Sequence, residues 1–175
     1  TSMESVKQII RDIPDFPKEG IVFKDITPLL ADASAFGKTI STLKERYAGK
    51  QIDTIVGVEA RGFIFASALA YALEAGTTMI RKPGKLPYKT FQETYSLEYG
   101  TDTIEIHQDA FQPGERIVLI DDVLATGGTL AASLNLIRNN FENVEIEEVA
   151  FLIELDFLNG REKLKDTPIH SLIHY

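Results

Sequence analysis

The chain has 175 residues, of which 44% are hydrophobic and 25% are charged, and this composition predicts one compact domain with a full core. It contains no cysteine, which excludes disulfides, thiolate catalysis and sulfur metal sites. The net charge of −8 opposes nucleic acid as a partner, and without a membrane-length apolar stretch or a signal-peptide profile we expect a cytoplasmic protein that does not bind membranes.

The first elements of the chain are predicted to be short. Apolar spacing predicts a helix over residues 6–13 that ends near Pro14. A short extended piece follows at residues 21–23. Thr27, directly before Pro28, predicts the N-cap of a second helix. Apolar residues spaced four, three and four apart then predict an amphipathic helix over residues 34–47.

Strands and helices alternate in the rest of the chain. The predicted order is a strand at 54–58, an alanine-rich helix at 62–73, a strand at 77–80, an edge strand around 104–107, a strand at 116–121, a helix from about 130, and strands at 149–153 and 169–173. Residues 82–89 hold two prolines, one glycine and three lysines, which predicts a flexible excursion. The alternation predicts an α/β fold with a mostly parallel, twisted sheet and helices on both faces.

The most informative segment is VLIDDVLATGGT, residues 118–129. A buried strand ends in Asp121 and Asp122, and a small, glycine-bearing turn leads into the next helix. Amide N–H groups at a helix start bind anions, whereas carboxylates accept hydrogen bonds from hydroxyls. The segment therefore predicts a site for a ribose 5-phosphate, although Asp-Asp alone would fit an ordinary strand and turn. It is neither a Walker loop nor a GxGxxG turn.

Other segments add weaker signals. VEARGF, residues 58–63, offers a second helix start with Arg61 as a planar cation, or else a plain helix cap. Basic residues gather after position 80, either as a lid on phosphates or as a solvated loop. In GIVFKDI, Phe23 fits stacking on a flat heterocycle as well as core packing. In YSLEYG, Glu98 lies between apolar neighbours that can raise its pKa, or on an ordinary surface hairpin.

Read together and in order, FPKEGIVFKDITPLL, VEARGF, RKPGKLP, YSLEYG and VLIDDVLATGGT resemble the type I phosphoribosyltransferases, and within that family the enzymes that use adenine. The resemblance runs from about Ile13 to Leu164. It implies the type I phosphoribosyltransferase fold in a single domain over residues 1–175. It also implies a small N-terminal base-binding hood over about residues 1–33, and a flexible loop and hairpin over about residues 82–107.

The resemblance also implies a reaction. Adenine and phosphoribosyl pyrophosphate (PRPP) would give AMP and pyrophosphate in purine salvage, with Mg²⁺ held mainly by the substrate and with the enzyme acting as a homodimer. Arg61 and Glu98 would be catalytic, Glu98 by exchanging a proton with adenine. The residues expected to bind the ribose and its 5-phosphate are Asp121, Asp122, Ala125, Thr126, Gly127, Gly128 and Thr129.

The remaining implied contacts concern pyrophosphate and the base. Pyrophosphate would bind Glu59, Ala60, Arg61, Arg81 and Lys85. A cis peptide would join Glu59 to Ala60, and Arg81 and Lys85 would reach pyrophosphate across a dimer interface. Adenine would bind Val22, Phe23, Lys24 and Leu155, with Phe23 and Leu155 on either face of the ring.

Two other interpretations stay open from the sequence. The base could be hypoxanthine, guanine or xanthine, although GIVFKD together with SLEYG favours adenine. A non-catalytic regulator that senses PRPP on the same fold is also conceivable, since fold does not fix function. The acidic pI near 4.9 and the lack of an added helix-turn-helix segment oppose it.

Overall fold

The computed structural model describes residues 3–164 and 166–175. In chain order its elements are α1 (Glu4–Lys7), β1 (Arg11–Pro14), β2 (Val22–Asp25), α2 (Thr27–Ala31), α3 (Ala33–Tyr47), β3 (Thr54–Val58), α4 (Gly62–Leu73), β4 (Gly76–Ile80), β5 (Thr90–Ser96), β6 (Thr101–His107), β7 (Arg116–Leu124), α5 (Gly128–Asn140), β8 (Glu145–Glu154) and β9 (Ile169–His174). Two 3-10 turns, Asp156–Leu158 and Gly160–Leu164, lie between β8 and β9.

The chain divides into two compact units, one ending at Arg46 and the other running from Tyr47 to Tyr175. The single-domain reading, the extent of the hood and the flexibility of residues 82–107 stay predictions. Residues 1, 2 and 165 of the predicted domain lie outside the described residues.

In the first unit, the predicted helix over residues 6–13 is wrong beyond Lys7. Residues 11–14 instead form β1, which pairs antiparallel with β2 so that Ile13 lies opposite Phe23. Ile13 precedes a proline, and this position disfavours helical backbone. The N-cap prediction is wrong by one residue, because α2 begins at Thr27 itself. The carboxylate of Asp25 accepts hydrogen bonds from the N–H and hydroxyl of Thr27 at 2.9 and 2.7 Å.

The second unit contains the predicted parallel sheet. Its five strands lie in the order β4-β3-β7-β8-β9, and every neighbouring pair is parallel. All five residues of β3 are buried, as the apolar run predicts for a strand covered on both faces. Helix α4 connects β3 to β4 and helix α5 connects β7 to β8, and the predicted α/β fold class is confirmed.

The strand order reverses direction between β3 and β7, and this reversal positions the site. From β3 the chain moves outward to β4, and from β7 it moves the other way to β8 and β9. Ligands of open α/β sheets bind at the carboxyl ends of strands beside such a switch point. Strand β7 is longer than predicted: it continues past Asp121 to Leu124, where it pairs with Glu154 of β8. Its last pair with β3 joins Gly57 to Ile120.

Strands β5 and β6 form a separate antiparallel hairpin. Ile104 and Ile106 are buried in β6, which confirms the one-sided pattern predicted there. Arg81 and Glu105 exchange two backbone hydrogen bonds of 3.0 and 2.8 Å, which join the base of the hairpin to the chain just after β4. No helix within residues 3–164 and 166–175 has the length and apolar character that a membrane crossing requires.

Candidate active site

The segments that follow β3 and β7 lie side by side at the switch point. Gly62, the first residue of α4, allows this approach, because a Cβ there would lie 2.8 Å from the carbonyl oxygen of Ile120 and 3.1 Å from Asp121 Oδ1. Residues 59–61 therefore meet the acidic pair. The structure brings together two segments that the sequence identified separately.

The two aspartates of β7 differ in environment. Asp122 is buried, and its carboxylate accepts a hydrogen bond from the Nε of Arg61. Asp121 accepts a hydrogen bond from the backbone N–H of Asp122 at 2.8 Å. Burial first, and then the charge of Asp122, raise the pKa of Asp121 well above its usual range, while Arg61 opposes this shift. Burial therefore disfavours the charged form of Asp121, even though Arg61 contacts the neighbouring Asp122.

The carboxylate of Glu59 accepts hydrogen bonds from three basic residues that follow β4. Its Oε1 accepts hydrogen bonds from Arg81 Nε at 3.1 Å and from the backbone N–H of Lys82 at 3.0 Å, and its Oε2 accepts one from Lys85. Burial would raise the pKa of Glu59, but these donors outweigh it and lower the pKa to about 2. The peptide bond between Glu59 and Ala60 is cis, as the family resemblance implied. Arg81 and Lys85 thus contact Glu59 of their own chain.

Residues 125–129 form a concave turn at the end of β7, hereafter the cradle. Together with Asp121 and neighbouring residues they line a cavity of about 100 Å³. Gly127 has a φ of +87°, a backbone conformation that glycine adopts without strain, and it precedes the first residue of α5. The first amides of α5 carry the positive end of the helix dipole, so the cradle suits a phosphate.

The back of the cradle rests on Gly160, which lies in the chain after β8. A Cβ on Gly127 would come within 2.5 Å of the carbonyl oxygen of Gly160, and a Cβ on Gly160 within 2.3 Å of that of Ala125. Both positions therefore require glycine. Gly160 was not recognised from the sequence, since nothing in its local pattern refers to a turn more than thirty residues earlier.

The β5–β6 hairpin contacts the cradle through Tyr95. Its hydroxyl lies 3.0 Å from the hydroxyl of Thr129. Nearby, Asp102 of β6 accepts a hydrogen bond from Lys82, a partner that the sequence did not indicate. Glu98 lies in the turn of the hairpin and is exposed, so Leu97 and Tyr99, themselves exposed, do not enclose it in apolar surroundings.

The residues predicted to bind adenine belong to different units. On β2, Val22 is exposed, Phe23 packs edge-on against Phe16 with 5.2 Å between ring centres, and Lys24 Nζ donates to Asp12 at 2.7 Å. In the second unit, Leu155 is half-buried directly after β8. Their joint role in binding a base stays a prediction.

Comparison with known proteins defines the class. The model of the phosphoribosyl transferase domain family matches residues 26–168. The chain and its fold are thus those of a phosphoribosyltransferase.

Individual relatives narrow the class. A protein of Syntrophotalea carbinolica called adenine phosphoribosyltransferase is 60% identical, over 99% of this chain and 100% of its own. A crystal structure of that enzyme from Thermoanaerobacter pseudethanolicus superposes with a TM-score of 0.93 at 50% identity, covering 99% of this chain and 100% of the other. The Saccharomyces cerevisiae enzyme, in complex with adenine and an imino-altritol bisphosphate, gives 0.90 at 40% identity and 97% coverage of each chain. The chain belongs to the adenine phosphoribosyltransferase family.

Proposed function

We propose that this chain transfers the 5-phosphoribosyl group of PRPP to adenine at the edge formed by β3 and β7, releasing AMP and pyrophosphate in purine salvage. The observation that carries the proposal is the acidic pair directly beside a phosphate-sized cradle, with Arg61 reaching the pair from the segment between β3 and α4. The adenine bound to the Saccharomyces cerevisiae relative supports the choice of base.

The ribose 5-phosphate part of PRPP binds at β7 and α5. Asp121 and Asp122 accept hydrogen bonds from the ribose hydroxyls, and the amides of the cradle hold the 5-phosphate. The ribose hydroxyls and the 5-phosphate do not take part in the reaction, so these contacts serve to hold the ribose. They thereby fix the position of its C1 atom relative to the base.

Pyrophosphate leaves beside residues 59–61. Negative charge grows on it as the bond to C1 breaks, and Arg61 together with Arg81 and Lys85 stabilises that charge. Electrostatic stabilisation of this kind is commonly the largest catalytic contribution. Arg61 contacts Asp122, whereas Arg81 and Lys85 contact Glu59.

Mg²⁺ fits the residues present. Asp121 and Asp122 place two adjacent carboxyl groups on β7, and carboxylate oxygens are ligands that this ion accepts. Asp121 and Asp122 would help to hold the ion, which the substrate phosphates would mainly hold. When bound, Mg²⁺ supplies neutralisation of charge on the pyrophosphate.

The adenine contacts are proposed for each unit by itself. In the first unit Phe23 stacks on the base and the backbone groups of Val22 and Lys24 hydrogen-bond its edge, and in the second unit Leu155 contacts the base. Glu98, carried on the hairpin, exchanges a proton with the imidazole side of the base.

The enzyme acts in the cytoplasm as a homodimer. Ile64 and Tyr71 on α4 and Met79 on β4 are large apolar side chains left exposed, which is the kind of surface that a second copy covers. Light scattering on the purified protein tests this state.

The experiment that tests the function measures pyrophosphate release from PRPP and Mg²⁺ with adenine, hypoxanthine or guanine supplied singly, beside a control without base. Release with adenine alone is expected. Asp122→Asn should raise the KM for PRPP about tenfold or more, since it weakens charge-assisted hydrogen bonds. Asp109→Asn, a change on an exposed turn, is the matched control. Bound PRPP without release for any base would indicate the regulatory alternative instead.

A further inference from the structure

The loop after β8 links two parts of the site. It begins after Glu154, the last residue of β8, contains Leu155, and reaches the second 3-10 turn at Gly160. Leu155 is the proposed adenine contact, whereas Gly160 supports the back of the cradle. Displacement of the Leu155 end would therefore move the adenine contact, whereas displacement of the Gly160 end would move the cradle.

Backbone hydrogen bonds hold the Leu155 end. The N–H of Leu155 donates to the carbonyl of Leu124 at 3.0 Å, and the N–H of Asp156 donates to Tyr175 at 2.8 Å. The N–H of Tyr175 in turn donates to the carbonyl of Glu154 at 3.0 Å. This end continues the hydrogen bonding of the sheet, and Nδ1 of His174 also lies 2.8 Å from the carboxylate of Asp156.

A side-chain ion pair holds the Gly160 end. Arg161 donates from Nε and Nη2 to the two carboxylate oxygens of Glu154 at 2.8 and 2.7 Å. Ser171 on β9 donates to the same carboxylate at 2.8 Å. The Glu154 side chain is only 4% exposed, whereas that of Arg161 is 48% exposed. Hydrogen bonds from Arg161 hold the pKa of Glu154 below its ordinary value, which keeps this carboxylate charged.

The same carboxylate belongs to a group that could in principle hold a metal. Glu154, Asp156 and His174 each offer a ligand atom, and these atoms lie within 4.8 Å of one another. Both oxygens of Glu154 already accept hydrogen bonds from Arg161, however, and one also accepts from Ser171. The carboxylate is thus occupied in a bidentate pair, a geometry that fixes position.

We propose that Glu154 and Arg161 are positioning residues for the cradle: their ion pair holds Gly160 against residues 125 and 127, and so fixes the shape in which the cradle receives the 5-phosphate. The role proposed for the two side chains requires no contact with the substrate. The proposal rests on the proposed function, since that function assigns the 5-phosphate to the cradle. It predicts a selective effect on PRPP, because the adenine end of the loop has its own backbone anchors.

The test compares Glu154→Gln and Arg161→Lys with Glu145→Gln. Glutamine keeps the shape of Glu154 but removes its charge, and lysine cannot form the two parallel hydrogen bonds of arginine. Glu145 is a matched control, because it also lies on β8 and accepts hydrogen bonds from an arginine, Arg116, but at the opposite end of the strand. Pyrophosphate-release kinetics give both KM values and kcat, and calorimetry gives the affinity for ribose 5-phosphate.

Both Glu154→Gln and Arg161→Lys should raise the KM for PRPP about tenfold, equivalent to about 1.4 kcal/mol, with a matching loss of ribose 5-phosphate affinity. The KM for adenine and kcat should change by less than about twofold. Glu145→Gln should behave as the wild type.

An unchanged KM for PRPP in the folded variants, or an equal rise in the KM for adenine, would overturn the proposal. If Glu154→Gln does not fold, Arg161→Lys decides, since that side chain is half exposed. A wild-type protein that releases no pyrophosphate with adenine would contradict the proposed function. The ribose 5-phosphate affinities would then still test the role of the ion pair.

Discussion

Replacing Gly127 with alanine tests whether the cradle depends on the close approach of two glycines. The φ of Gly127 is +87°, and a Cβ there would lie 2.5 Å from the carbonyl oxygen of Gly160. Gly114 has the same φ of +87°, but a Cβ there meets nothing within 4 Å. Alanine in this left-handed conformation costs about 1–2 kcal/mol at either position. Only Gly127→Ala adds a steric overlap, which costs about 1–3 kcal/mol more.

The free energy of unfolding in urea, followed by far-ultraviolet circular dichroism, measures both costs. Gly127→Ala should lose about 2–5 kcal/mol and Gly114→Ala about 1–2 kcal/mol. The KM for PRPP should rise only for Gly127→Ala. Equal losses for the two variants would refute the argument that Gly160 constrains the cradle. A destabilised Gly127→Ala with a normal KM for PRPP would refute the role of that constraint in binding.

Three further substitutions concern carboxylates. Glu98→Gln should lower kcat by about 10²- to 10⁴-fold if Glu98 exchanges a proton with adenine, and an unchanged kcat would remove that role. Asp121→Asn should raise the free energy of unfolding near pH 7, because the carboxyl has a raised pKa in the folded protein. That gain should vanish as the pH falls below 3.8, where the ordinary carboxyl is protonated as well; no gain at pH 7 would count against a cost of burying the charged carboxylate. Glu59→Gln should destabilise the protein above pH 4.5, by at most about 3 kcal/mol, since the folded pKa is about 2. The difference from wild type should shrink as the pH falls from 4.5 towards 2, and a pH-independent difference in urea titrations would argue against these ion pairs.

Elements whose structure is determined by their own residues could be predicted from local sequence patterns. The strand over Thr54–Val58 and the helix over Gly62–Leu73 were predicted to the residue, because a fully buried strand and an alanine-rich helix each have a continuous apolar signal. The acidic pair and the cradle are contiguous in the chain, so one motif identified both.

Long-range pairing explains what was missed. Residues 11–14 have helical periodicity, yet pairing with β2 makes them a strand. Gly160 supports a turn distant in sequence, and Asp102 meets Lys82 only because the hairpin folds back. Tertiary contacts of this kind leave no local pattern to read.

The ion pairs around Glu59 and the acidic pair have a consequence for which anions this edge accepts. Arg61, Arg81, Lys82 and Lys85 each already contact a carboxylate of the same chain, and the protein as a whole is negatively charged. An incoming anion must therefore take over partners that are in use. A chloride or acetate ion gains too little from one such exchange, whereas a diphosphate with several charges engages several cations at once. We therefore expect these cations to select ligands by charge as well as by shape, since a singly charged anion would displace at most one of the carboxylates that they contact.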